Sequence, residues 1–460
     1  MSGEDRGRAA DTPEELDALQ EVYAGLLARA PEHDVAPSTE RVEAVCDLLG
    51  HPERSFRVLH VAGTNGKTST ARMAERLLRE HGLRTGLYTS PHLTSVTERI
   101  RVDGEPLSAA EFVAAWQDVA PYVHMVDARS AQTGGPRMSY FEVLTVMAFA
   151  AFADAPVEVA VVEVGMGGRW DATNVVQPEV AVVTPIARDH ERWLGHELVD
   201  IAGEKAGVLK ERVTAVLAEQ REEVDGVLLA AAAERGARVL REGVDLEVLS
   251  RQVAVGGQLV DLRTPGGVYA DVFLPLHGEH QAHNAVLALT AVESMLRGVG
   301  ALVAGPVEAA FADVSSPGRL ELVRSSPAVL VDAAHNPHGA EALAAAVREA
   351  FTFERLVGVV GVLADKDAEQ ILAALEPLMD DVVVTRSSSE RALDVADLAE
   401  VATDVFGEDR VHAVDRLDEA IARATDLAEQ GVSGSPTGAG VLVTGSITLV
   451  AEARTLFGRA

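Results

Sequence analysis

A single cysteine, Cys46, stands among the 460 residues, which excludes an internal disulfide and suits a reducing cytoplasm. It lies in the helical pattern RVEAVCDLLG, where a packed thiol is the ordinary outcome and a nucleophile the exception. Positive charge is also scarce. Forty Lys and Arg face 71 Asp and Glu, a formal net charge of −31. A field of that sign argues against general nucleic-acid binding and against anionic membrane surfaces, so an anionic substrate requires local cations. Apolar runs such as 143–153 are too short or too interrupted to cross a bilayer. The opening stretch MSGEDRGRAADTPEELDAL is polar and acidic and lacks a secretory pattern. No internal repeat appears beyond strand–helix alternation.

What is present is a large apolar fraction, 47%, over a length typical of two or three domains. Helical spacing marks 14–29 and 39–50. The β-rich run RVLHVAG ends at Gly63 and TSTARMAERLLREHG follows as a helix. RTGLYTS reads as a strand, and 109–119 and 141–153 as helices. VEVAVVEVG and EVAVVTPI are near-continuous apolar runs, as expected of strands buried on both faces of a parallel sheet. Between about 237 and 277 the texture changes to short β-like pieces, a small antiparallel excursion. Ser315-Ser316-Pro317-Gly318 is the best linker, and βα alternation resumes beyond it. SGSPTGAG, 433–440, reads as a flexible loop. The expectation is an α/β protein. An N-terminal parallel-sheet domain is expected over 1–315, and a smaller C-terminal α/β domain over 316–460.

The stretch HVAGTNGKTST, 60–70, joins a strand to a helix, the context of a phosphate cradle. The count departs from G-x-x-x-x-G-K-[ST], because Gly63 stands only three residues before Gly66. Gly63 and Gly66 allow close backbone approach to phosphate, and Asn65 tolerates positive φ. Thr64 completes the turn, Lys67 reaches the β- and γ-phosphates, and Thr68 approaches Mg²⁺. Glu163 ends an apolar strand, where α/β sheets place their ligands.

This shortened loop resembles that of the folylpolyglutamate synthase/dihydrofolate synthase family, relatives of the Mur ligases. YTSPHL, SYFE, EVGMGGRWDATN, Asp189-His190, EKAGVLK, HQAHNAVLAL, PGRLE and DAAHNPHG are similar to family motifs, in family order, over most of the chain. The resemblance implies an N-terminal P-loop-type parallel-sheet ATPase domain and a smaller C-terminal Rossmann-like α/β domain, with ATP as substrate and Mg²⁺, two ions by expectation, held through Ser90, Glu163 and His190 with Thr68. It implies ATP contacts from Asn284, Arg319 and Asp332, with His335 and Asn336 supporting their loop. It implies that Lys205 is a carbamyl-lysine that helps hold the second ion. Lys67, Lys205 and His190 are the expected catalytic groups. Pro37, Ser38, Thr39 and Glu40, then Ser139, Tyr140, Phe141 and Glu142, then Trp170, Asp171 and Ala172, align with segments that cradle the pterin-bearing substrate. Phe141 and Trp170 offer flat apolar surface for its ring.

The implied reaction is amide ligation of L-glutamate to dihydropteroate, to a reduced folate, or to both, through an acyl phosphate. That is a dihydrofolate synthase/tetrahydrofolate synthase activity, with a cytoplasmic monomer expected. Three departures bear on the acceptor: Trp170 where the family often has Leu, Glu191-Arg192-Trp193 after the Asp-His pair, and the altered TGSITLVAE. They leave open a related ligase joining another carboxylate to an amino acid. A non-catalytic ATP-binding module is a further alternative, against which Lys67, Glu163 and His190 all stand.

Overall fold

The computed structural model describes residues 10–31, 36–298, 300–430 and 438–459. Its first sheet contains β1 (Arg57–Ala62), β2 (Thr85–Tyr88), β3 (Ile100–Val102), β4 (Glu105–Pro106), β5 (Val159–Glu163), β6 (Val180–Val183), β7 (Thr214–Leu217) and β8 (Arg238–Arg241). The spatial order is β4-β3-β2-β5-β1-β6-β7-β8. All neighbours from β2 to β8 pair in parallel, and β3 and β4 add an antiparallel edge. The central strands are buried along their length because helices cover both faces, which is why VAVVE and VAVV lack alternation.

One face of this sheet packs on the helices Lys67–Glu80, Glu279–Leu296 and Ala304–Ala312. The antiparallel sheet β9 (Glu247–Ala254), β10 (Gly257–Thr264) and β11 (Gly267–Leu274) joins the same core. The other face carries Pro13–Leu27, Glu40–Leu48, Ala109–Gln132 and Tyr140–Asp154 toward one end, and Leu198–Lys205 and Glu222–Glu234 toward the other. The loop after β1 thus leaves the centre of the sheet, between the carboxyl ends of β5 and β6. Open α/β sheets bind ligands in such a crevice.

A second sheet has β12 (Glu321–Ser325), β13 (Ala328–Asp332), β14 (Arg355–Val360), β15 (Asp381–Val384), β16 (Val411–Ala413) and β17 (Ala439–Thr444), in the order β12-β13-β17-β14-β15-β16. It is parallel except for the edge strand β12. Helices Pro337–Ala350, Ala368–Leu375 and Val395–Phe406 cover one face, Leu417–Glu429 and Ile447–Leu456 the other. Among the described residues no helix is long and apolar enough to cross a membrane.

Two expectations need correction, and one strand is added. The helix expected over 109–119 runs from Ala109 to Gln132, straight through Pro121. Pro121 donates no N–H to the turn before it, but Phe112, Ala115, Val119, Val123 and Val126 keep one buried stripe across it, and that packing prevails. The strand β12 was not foreseen: it is an edge strand with a register shift between Leu322 and Arg324, so its alternation is broken. Of the loop expected at 433–440, residues 433–437 lie outside the described residues, whereas Ala439 and Gly440 already belong to β17.

Candidate active site

The loop after β1 is tied to the segment that follows β6. Thr64 N–H donates to Pro185 O at 3.0 Å, Thr64 Oγ1 donates to Ala187 O at 3.1 Å, and Ala187 N–H donates back to Thr64 Oγ1 at 3.1 Å. Gly63 (φ +138°) and Gly66 (φ +86°) are required twice over. Each has positive φ, and a Cβ would lie 1.9 Å from Thr184 Oγ1 at Gly63 and 2.4 Å from Asn284 Oδ1 at Gly66. The helix starts at Lys67 with no side-chain cap, which leaves its first N–H groups for an anion. Lys67 Nζ donates to Thr64 O at 3.0 Å, folding the cation back over the loop.

Behind the loop, Thr68 Oγ1 lies 2.9 and 3.0 Å from the two Glu163 oxygens and donates its one proton to that carboxylate, and Ser90 N–H donates to Glu163 Oε2 at 3.3 Å. Burial raises the Glu163 carboxyl above its usual range while Lys67 opposes the rise. Among the described residues no group of three or more His, Cys, Asp or Glu is placed to hold a metal. One buried carboxylate with two hydroxyl-bearing neighbours nevertheless fits Mg²⁺, which keeps several waters and takes its remaining oxygens from phosphate. His190 is less well fitted. It stands in the left-handed region (φ 54°), its side chain is 41% exposed, and its Nε2 lies 4.0 Å from Asp189 Oδ1.

Lys205, 4% exposed, reaches the loop from the helix Leu198–Lys205 and donates from Nζ to Gly63 O at 2.6 Å. Burial, reinforced by Lys67, pushes its ammonium down to about 7. A large share of this amine is therefore neutral near neutral pH, and the neutral amine is the form that reacts with carbon dioxide.

The second sheet brings its carboxyl ends to the same cleft. Asp332, the last residue of β13, accepts Leu320 N–H at 2.7 Å and Ala334 N–H at 2.8 Å, and burial raises its carboxyl. Arg319 stays half-buried beside it, with Nη1 donating to Gly318 O at 3.2 Å. Asn284 Nδ2 donates to Gln281 Oε1 at 3.2 Å and its amide oxygen borders Gly66. Asn336 Nδ2 donates to Asn65 Oδ1 at 3.0 Å and to Asp189 Oδ2 at 3.1 Å. Lys366 Nζ donates to Asp189 Oδ1, and His335 Nε2 lies 3.6 Å from Asp189 Oδ2.

A further arm of the cleft runs over Phe141 and Trp170. A Cβ at Gly165 would lie 2.5 Å from the Phe141 ring, so this glycine lets the ring lie across the loop. Asp171 and Glu142 hold the arm's frame. Asp171 accepts N–H groups of Met166 and Thr173, both at 2.9 Å. Glu142 closes a capping box with Ser139 and accepts from Arg41 Nε at 2.9 Å. The whole cleft encloses about 2040 Å³, room for more than one ligand.

Family models match both parts. The Mur ligase middle domain matches residues 61–292, and the Mur ligase glutamate ligase domain matches 318–447. A dihydrofolate synthase/folylpolyglutamate synthase of Mycobacterium tuberculosis is 52% identical, over 97% of this chain and 96% of its own. The chain belongs to the dihydrofolate synthase/folylpolyglutamate synthase family of Mur ligases. Another member, from Bacillus subtilis, is 36% identical over 82% of this chain and 87% of its own. The Mycobacterium tuberculosis folylpolyglutamate synthase solved with ADP superposes with a TM-score of 0.93 at 51% identity, covering 97% of this chain and 99% of that one. A Thermotoga maritima folylpolyglutamate synthase superposes with a TM-score of 0.80 at 32% identity, covering 96% and 97%.

In this family member the cleft is lined by the loop 63–68, Ser90, Glu163, His190, Lys205, Asn284, Arg319 and Asp332. Ser38, Ser139, Phe141, Glu142, Trp170, Asp171 and Ala172 line it too. Pro37, Thr39, Glu40 and Tyr140 are not among its lining residues. Thr39 donates to Glu43 at 2.7 Å, Pro37 and Glu40 are exposed, and Tyr140 is buried against Tyr23 and Arg99. Sequence reasoning missed Lys366, which lines the cleft beside Asp189; an ordinary lysine in ADKDA carries no local signal. It also passed over Asp189 itself, named only as the partner of His190.

Proposed function

We propose that this protein uses ATP to join L-glutamate to dihydropteroate, to a reduced folate, or to both. The observation that carries the reading is one cleft in which the shortened loop, the buried Glu163 and the Arg319–Asp332 end of the second sheet all meet, continuous with the Phe141–Trp170 arm. ATP's triphosphate lies on the loop N–H groups with Lys67 across it. Thr68, Ser90 and Glu163 would hold Mg²⁺, His190 would add a ligand only by turning inward from its half-exposed position, and a carbamylated Lys205 would help hold a second ion. A divalent ion held there would neutralise phosphate charge. Asn284, Arg319 and Asp332 fix the nucleotide from the far side.

The acceptor's carboxylate oxygen attacks the γ-phosphorus and ADP leaves, giving an acyl phosphate. The glutamate amine attacks the acyl carbon, inorganic phosphate departs, and the amine loses a proton. Lys67 neutralises the charge that develops on the transferred group. Closure of the two units around Asp189 excludes water from the acyl phosphate. Cations gathered at the cleft answer the −31 of the whole chain. The division into units at 315/316, a monomeric state and a cytoplasmic location complete the reading.

The test is purified protein with MgATP and L-glutamate, offered dihydropteroate and tetrahydrofolate separately. Acceptor-dependent phosphate release with a product heavier by one glutamyl unit is expected for at least one. No release with either refutes the folate reading.

A further inference from the structure

His60 begins the stretch that the nucleotide loop completes, yet it does not line the cleft. Its neighbours Leu59 and Val61 pack on the layer of the helix Lys67–Glu80. Alternation along β1 turns His60 to the opposite layer, fully buried. There Nε2 lies 2.9 Å from Thr173 Oγ1, and Thr173 Oγ1 donates in turn to Asp171 Oδ1. A hydroxyl carries one proton. With that proton on Asp171, Thr173 Oγ1 accepts from His60, so the imidazole proton sits on Nε2.

Nδ1 is then a bare lone pair, buried and without a hydrogen-bond partner. Burial, with Lys210 nearby, keeps the ring neutral by moving it down to about 3. A buried acceptor left unsatisfied destabilises the fold, and a phenylalanine of similar size carries none. Packing therefore does not explain the histidine, whereas the Nε2–H bond does.

That bond stands behind the loop 165–172. Asp171 gathers the N–H groups of Met166 and Thr173, Arg169 N–H donates to Glu204 O at 2.9 Å, and Gly168 packs so closely that a Cβ would lie 2.7 Å from Glu204 O. We infer that His60 is a positioning residue for the acceptor: donating through Thr173 to Asp171, it fixes the loop whose Gly165 and Trp170, with Phe141, form the surface for the acceptor's flat ring system. The inference rests on the reading of this arm as the acceptor site. Displacements of about 1 Å at a distance can cost a hundredfold in rate, so a buried hydrogen bond can set acceptor affinity without touching the acceptor.

The experiment compares wild type, His60→Phe, His60→Gln, Thr173→Val and Thr173→Ser in steady-state ligation, with ¹⁵N-histidine spectra of the wild type. His60→Phe and Thr173→Val are expected to raise the acceptor KM tenfold or more, with the KM for ATP within threefold of wild type. His60→Gln and Thr173→Ser, which restore the polar group, are expected to recover most of the loss. The His60 ring is expected as the neutral Nε2–H tautomer, a measurement that needs no variant to fold. An acceptor KM within twofold of wild type in both polar-deleted variants overturns the inference. So do parallel rises in both KM values, or a proton on Nδ1. Absence of ligation by the wild type refutes the functional reading instead, and the tautomer still decides the hydrogen-bond assignment.

Discussion

Asn65 and Asn336 join their side-chain amides reciprocally across the cleft: Asn65 Nδ2 donates to Asn336 Oδ1 at 3.1 Å, and Asn336 Nδ2 donates back to Asn65 Oδ1 at 3.0 Å. One residue belongs to the nucleotide loop. The other caps the helix Pro337–Ala350, its Oδ1 also accepting Gly339 N–H at 2.8 Å. The pair therefore registers the second sheet's unit against the phosphate cradle.

Asn336→Asp separates these duties. The carboxylate keeps the helix cap but loses both Nδ2 donations and faces the Asp189 carboxylate. Two lost hydrogen bonds correspond to about 1–3 kcal/mol, so kcat/KM for ATP is expected to fall roughly 5- to 150-fold. The thermal midpoint should move less than in Asn336→Ala, which also loses the cap. Steady-state kinetics and thermal melts of the two variants check this.

Lys67→Ala is expected to abolish most ligase turnover, by about 10²–10³-fold, as for removal of one preorganised charge-stabilising donor. Lys67 Nζ donates to a carbonyl of its own loop, Thr64 O at 3.0 Å, so the fold should survive. Activity near wild type, in a protein with an unchanged circular dichroism spectrum, contradicts the role given to this cation.

Gly66→Ala sets a Cβ 2.4 Å from Asn284 Oδ1 at a backbone φ of +86°. A left-handed conformation costs a non-glycine residue about 1–2 kcal/mol, and the collision pushes Asn284 from its place. The KM for ATP is expected to rise tenfold or more while the KM for the acceptor changes little. Direct nucleotide binding by calorimetry measures the first effect without turnover.

How much of this was legible in the residues differs by feature. The loop, Glu163 and the βα alternation declare themselves because glycine spacing and strand-end position are local properties. The turn through Pro121 was hidden because a long-range apolar stripe decides it. Asp171 reads from sequence as a substrate contact and lines the cleft, and its oxygens also hold backbone N–H groups of its own loop, an arrangement set only by the fold. Lys366 and Asn65 acquire partners 177 and 271 positions away, and no spacing rule reaches that far.

Lys205 carries a pH signature. Its folded value, about 7, lies below the ordinary 10.5. Between those values the unfolded chain binds more protons, so stability rises with pH across the window. The burial penalty is full below about pH 7 and fades toward 10.5. A tenfold change in proton affinity is worth about 1.4 kcal/mol, so the penalty at low pH amounts to a few kcal/mol. In bicarbonate-free buffer Lys205→Met is expected to be more stable than wild type at pH 6–7, with the gap closing by pH 9–10. Denaturant melts across that range check the sign.

The central claim is that the acceptor carboxylate is activated by phosphorylation. Dihydropteroate labelled with ¹⁸O in its carboxylate, incubated with the enzyme, MgATP and L-glutamate, tests it directly. An acyl phosphate transfers one ¹⁸O to each phosphate released, visible by ³¹P NMR or mass spectrometry of the phosphate. One labelled oxygen per phosphate in step with amide formation is the predicted result; amide formed with unlabelled phosphate contradicts the account.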